Sequence, residues 1–206
     1  MQVVGRVLRC ALYAPQLQAL AVKLEYSMIS QADNLVLQSY YSVSLIAELR
    51  NNAFLESHYF ESMKFSAPWI KEEIKSIGVD NQGSLLMSLY AMLVVPRELI
   101  FKKYPDKVDD IQRFLRSKCK ITKNEYGTQI ESIDILRHIR NSVSHASVAF
   151  VPNSLVVFSD ENFKAKKTIE VELSLKYVGS FLSALQELHL THIKMNQKSH
   201  GGRNDC

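Results

Sequence analysis

Arg140, Asn141 and His145 fall within the stretch RNSVSH (residues 140–145) and bring together a guanidinium, a carboxamide and an imidazole. On a helix, Asn141 and His145 are one turn apart and share a face. Arg140 lies about 100° round the axis, and its long side chain swings back to the same patch. Arg137, one turn earlier, joins the face of Asn141 and His145. These are the groups that metal-independent RNA cleavage uses. The ribose 2′-OH attacks its own phosphate, a base takes the 2′ proton, and an acid protonates the leaving 5′-oxygen. An unperturbed histidine, titrating near pH ~6.5, can act as either. An arginine fork matches the extra charge on the non-bridging oxygens and stays ionised. The asparagine can orient the histidine or donate to the phosphate. The need for a 2′-OH makes the substrate RNA rather than DNA.

One chain carries one motif histidine. Acid and base are supplied together most simply if two copies meet across a two-fold axis, with the motif at the interface. The bland alternative is a polar helix end, because Arg and His are favoured in the last turn, where they meet the negative end of the dipole. A pattern with three set positions also recurs by chance. The elements that carry the motif therefore matter.

Only 7 Gly and 5 Pro occur in 206 residues, which argues for long helices over a many-turned all-β fold. The net charge of +4 permits a nucleic-acid partner without demanding one. Cys10, Cys119 and Cys206 lie far apart, with neither zinc spacing nor a disulfide framework. The expectation is a cytoplasmic protein with no metal and no cofactor. The apolar run LLMSLYAMLVV (residues 85–95) is too short for a membrane span, and the N-terminus lacks a signal-peptide core.

Residues 16–67 contain no Gly and no Pro. Leu17, Leu20, Leu24 and Met28 recur at helical spacing, as do Val36, Tyr40, Val43 and Ala47. This predicts one very long helix, or two end to end with a break near SQADN (residues 30–34). A short helix is expected in APWIKEEIKSIG, with Pro68 at its start and Gly78 past its end. A strongly apolar helix follows through residues 81–104, kinked or ended by Pro96. Next comes an amphipathic helix in DKVDDIQRFLRSKC, with Asp106 as candidate N-cap and Val108, Ile111, Phe114 and Leu115 inward. TKNEYGTQ reads as loop, and SIDILRHIRNSVSHA as the helix that carries the motif. VAFV, SLVVF and KTIEVEL then switch to a period of two, with a turn at PNS (residues 152–154). The last helix is placed from Ser174, with Leu175, Val178, Leu182, Leu185 and Leu188 on one face. The predicted fold is mainly α: an antiparallel helical bundle with a small β-hairpin or three-stranded insertion before the last helix. Residues 1–80 are read as a helical extension, 81–195 as the core and 196–206 as a flexible tail.

LRHIRNSVSHASVAFVPNSLVVFSD resembles the signature of the HEPN superfamily, in which Arg, a polar residue and a later His lie on a late helix of a bundle. Arg140, Asn141 and His145 match those positions. The strand pair after the motif, ending in FSD (residues 158–160), is similar to a bacterial and plasmid-borne branch. NQGSLLMSLYAMLVVPRELI resembles that branch's second core helix. Ser144 stands where a small apolar residue is common. The resemblance implies a metal-independent endoribonuclease, dimeric through the motif, with roles as a toxin paired with an antitoxin protein or in phage defence. It also implies the alternative of a non-catalytic module that binds nucleotide, RNA or a protein partner.

Arg140, Asn141 and His145 are thus the expected catalytic residues, with Arg137, His138 and Ser144 as further candidates for RNA contact. His138 is placed on a different helix face, facing solvent or an interface. Arg97, Lys102, Lys103 and the basic loop FKAKK (residues 163–167) are read first as solvated surface. His58 and Tyr59 are read as helix surface plus core.

Overall fold

The computed structural model describes residues 30–96, 99–127 and 129–201, with side chains through residue 196. The expectations for Leu17, Leu20, Leu24 and Met28, for Cys10 and Cys206, and for Arg97 lie outside the described residues.

Helix α1 (Gln31–Asn51) starts within SQADN, where Ser30 Oγ accepts from the Asp33 N–H at 3.1 Å. Val36 and Val43 are buried and Tyr40 packs against the same core. The helix does not continue to residue 67. The Asn52 carboxamide donates to the Glu48 carbonyl at 2.9 Å, and Ala53 turns left-handed at φ 46°. Asparagine's competition for backbone partners ends the helix without Gly or Pro. A 3₁₀ turn (Phe54–Glu56) and the short α2 (His58–Ser62) follow. Phe60 is buried there, whereas Tyr59 is exposed. Helix α3 (Pro68–Ile77) has Pro68 in its first turn and ends at Gly78, whose φ of 78° suits glycine.

Helix α4 (Gln82–Leu89), capped by Asn81, runs into a π-helical turn (Tyr90–Val94). Pro96 lacks an N–H, so it cannot close an α-helical bond to the Met92 carbonyl four residues before it. His189 supplies the replacement, with Nε2 3.0 Å from that oxygen. Helix α5 (Pro105–Lys118) starts with Pro105 at its first position and Tyr104 as cap residue; Asp106 lies in the first turn and is not the cap. Strand β1 (Cys119–Asn124) comes next. After a 3₁₀ turn (Ile130–Ser132), the motif helix α6 (Ile135–Ser144) leads into β2 (Val148–Val151), β3 (Leu155–Asn162) and β4 (Lys167–Ser174). Helix α7 (Leu175–Gly201) closes the described chain.

The expected hairpin or three-stranded insertion is overturned: the strands form a four-stranded antiparallel sheet in the order β1-β4-β3-β2. The added strand is CKITKN, split in the sequence reading between a helix end and a loop. Cys119 and Ile121 point inward, but the register shifts between Ile121 and Lys123, so only two residues carry the period-two signal. Pairing with the distant Ile169, Val171 and Leu173 makes it a strand.

The inner face of the sheet presents Val156 and Phe158 from β3 and Ile169, Val171 and Leu173 from β4 to the helices. Helix α6 lies across β3 and against α5 and the π turn; α1 packs on the π turn and α7. Ile135, Leu136, Ile139 and Val143 of α6 join Leu89, Met92, Leu93, Ile111, Leu115, Leu185 and Leu188 in one core. On α7, Phe181 is fully buried, while Leu175 is 37% exposed. At the opposite end His192 Nε2 lies 2.7 Å from Asp33 Oδ1, tying α7 to the start of α1. Among the described residues, no helix is long and apolar enough to cross a membrane.

Candidate active site

The motif helix is held firmly at its start. Asp134 caps it, with Oδ1 accepting from the Arg137 N–H at 2.9 Å. Buried Gln112 of α5 accepts from the Leu136 N–H at 2.9 Å and donates to the Ile133 carbonyl at 2.8 Å. Two orphan N–H groups of the first turn are thereby satisfied, which sets the position of α6 against α5.

The far end is shaped by an αL turn. Ala146 takes φ 54°, Ser147 N–H donates to the Ser142 carbonyl at 2.8 Å, and Ala146 N–H donates to the Val143 carbonyl at 3.2 Å. This is the Schellman arrangement, with alanine at the position that favours glycine. It leaves His145 as the C-cap residue and turns the chain directly into β2. His145 is exposed at the C-terminal end of the helix.

The three motif residues gather at this end. Arg140 and Asn141 are half-buried, and Arg140 Nη2 donates to Asn141 Oδ1 at 3.3 Å. The asparagine therefore orients the arginine rather than His145. Its own Nδ2 donates to Asp160 Oδ2 of β3 at 3.0 Å. The same oxygen accepts from His138 Nδ1 at 2.7 Å. A carboxylate only accepts, so the amide orientation of Asn141 follows from the chemistry. Arg137 and Ser144 are exposed, with Ser144 Oγ donating to the Asn141 carbonyl at 2.8 Å.

His138 departs from expectation. It is 7% exposed, not solvent-facing, and shares a partner with Asn141 rather than lying on another face. Three residues along a helix is within one turn, and β3 lies on that side. The Tyr126 ring sits 5.6 Å from the His138 ring and covers it. Burial pushes the Tyr126 hydroxyl above its ordinary range and the Asp160 carboxylate adds to this, with Arg137 opposing. Lys167, from the end of the basic loop, lies 5.8 Å from the Tyr126 ring centre.

The sequence reading missed the roles of Asp160 and Tyr126. A signal for Asp160 was present: Val156, Phe158 and Asp160 alternate, which puts a carboxylate on the core face of a strand. Tyr126 carries no such signal, because it lies in a turn. Among the described residues, no group of three or more His, Cys, Asp or Glu is placed to hold a metal ion.

The arrangement offers a supported guanidinium and an accessible imidazole at one helix end, which suits an anionic ligand. A family model described as HEPN pEK499 p136 matches residues 25–196. No curated protein and no solved structure matches the chain. Because the match takes in α1 through most of α7, including the motif helix and the whole sheet, the chain belongs to the HEPN pEK499 p136 family.

Proposed function

We propose that this protein is a metal-independent HEPN-type endoribonuclease that cleaves RNA by 2′-OH attack and leaves a cyclic phosphate. The observation that carries the reading is the C-terminal end of α6, where Arg140 is steered by Asn141 and His145 is the exposed C-cap residue. Arg140 holds the non-bridging oxygens as charge builds on them. His145 moves the proton, as base toward the 2′-OH or as acid toward the 5′-oxygen. Exposed Arg137 and Ser144 extend the surface along which RNA lies. A homodimer that pairs two α6 ends supplies both acid and base. As the cellular setting we propose a toxin neutralised by an antitoxin protein, or a phage-defence factor.

The test is RNA incubated with pure protein in EDTA. The parent is expected to give fragments ending in cyclic phosphate, and His145→Ala to lose roughly 10²-fold or more of the rate. His145 is exposed, so this variant keeps the parent's thermal midpoint. Cleavage by His145→Ala at the parental rate refutes the assignment. RNA or nucleotide binding by the parent without cleavage identifies the alternative, a non-catalytic module.

A further inference from the structure

Asp160 is the one buried carboxylate among the described residues. It stands on the sheet face otherwise lined by Val156, Phe158, Ile169 and Val171, and leaving an ion there is costly unless its oxygens are bonded. His138 and Asn141 of α6 both bond to it, and both bonds end on Oδ2. We infer that Asp160 is a positioning residue of the site, acting through Asn141 to hold Arg140 where the phosphate is bound.

The chain of cause is short. The carboxylate draws the Asn141 NH₂ group inward, so Oδ1 must face outward. Arg140 Nη2 donates to that oxygen, which restricts the rotamers of its long side chain. His138 donates to the same carboxylate oxygen and packs under Tyr126, keeping water from competing for it. Without the carboxylate, only the bond from Arg140 favours this orientation of the Asn141 amide. The guanidinium then loses the aim that Asn141 gives it, and small displacements of this kind cost about 10²-fold in rate. This role rests on the ribonuclease reading above.

The test compares the parent, Asp160→Asn, Asn141→Ala and the double variant in RNA cleavage, with thermal midpoints recorded alongside. Asp160→Asn is expected to lower kcat about 10- to 100-fold with KM little changed, and to have no further effect once Asn141 is alanine. A merely structural residue would lower the midpoint and leave kcat per folded molecule alone. Unchanged kcat, or a full multiplicative loss in the Asn141→Ala background, overturns the inference. A second measurement needs neither catalysis nor a folded variant: side-chain amide exchange in the parent, read by NMR. The Asn141 amide is expected to be protected relative to exposed Asn51. Free exchange of the Asn141 amide overturns the inference. A parent that cuts no RNA refutes the ribonuclease reading, and the Asn141 amide signal then decides the Asp160 contact independently.

Discussion

His189 makes the stability of the protein depend on pH in a way that can be worked out. Its ring is fully buried on α7, and Nε2 donates to the Met92 carbonyl, to which Pro96 cannot donate. A carbonyl only accepts, so Nε2 carries the proton, and the buried Nδ1 has no partner. Burial drives the pKa down; the Met92 bond opposes this and the neighbouring His192 adds to it, leaving the ring at about 4. In the unfolded chain the value returns to 6.5. Between these limits the unfolded state binds the extra proton, so stability rises with pH. The contribution is complete above pH 6.5 and is lost as pH falls from there to about 4. At about 1.4 kcal/mol per tenfold change in proton affinity, the full loss is roughly 3 kcal/mol. For a chain of this size that lowers the melting midpoint by very roughly 10 °C. The assay is urea unfolding of the parent and His189→Gln at several pH values from 7.5 to 4. Glutamine retains an N–H donor for the Met92 carbonyl but does not titrate. The variant is expected to start less stable, from imperfect packing, and then to lose much less than the parent on acidification. Carboxylates that titrate in both proteins cancel in the comparison. Parallel curves, with a difference constant to within about 0.5 kcal/mol, would refute the reasoning.

Two more outcomes follow from local geometry. Ala146→Gly relieves a left-handed alanine at the end of the motif helix and is expected to stabilise the protein by about 0.5–1 kcal/mol, after subtracting glycine's greater unfolded-state entropy. Chemical denaturation checks this, and a destabilised variant would show that the Schellman turn is not the constraint described. Burial raises the Cys119 thiol from 9.0 to about 12, so its alkylation in the native protein at mildly alkaline pH should be about 1,000-fold slower than in the unfolded chain. Peptide mapping after timed alkylation measures it, and equal rates in the two states would contradict the inward-facing, half-buried position of the thiol.

Much of the architecture was legible because local rules and tertiary packing agree. The break near SQADN, the Pro68 and Gly78 limits of α3, the turn after β2 and the apolar face of α6 all follow from turn chemistry, capping and periodicity. Where the reading failed, a weak local signal met a strong non-local one. Helix α1 stops at Asn51 through an asparagine pair and a left-handed alanine, none of which is a strong breaker alone. Strand β1 has too few alternating residues to announce itself and becomes a strand by pairing with β4.

The same division runs through the site. Residue types and their order along the chain determined that a guanidinium, an amide and an imidazole stand within two turns at the end of one helix. The match over residues 25–196 places that helix in the HEPN pEK499 p136 family. What the sequence left open was how the three groups are aimed. A helical repeat places a side chain on a face but does not choose its hydrogen-bond partner. That choice depended on which strand packs against α6 and in what register. Bringing Asp160 of β3 beneath His138 and Asn141 turned a polar patch into an ordered chain of donors and acceptors, from a buried carboxylate to the guanidinium of Arg140.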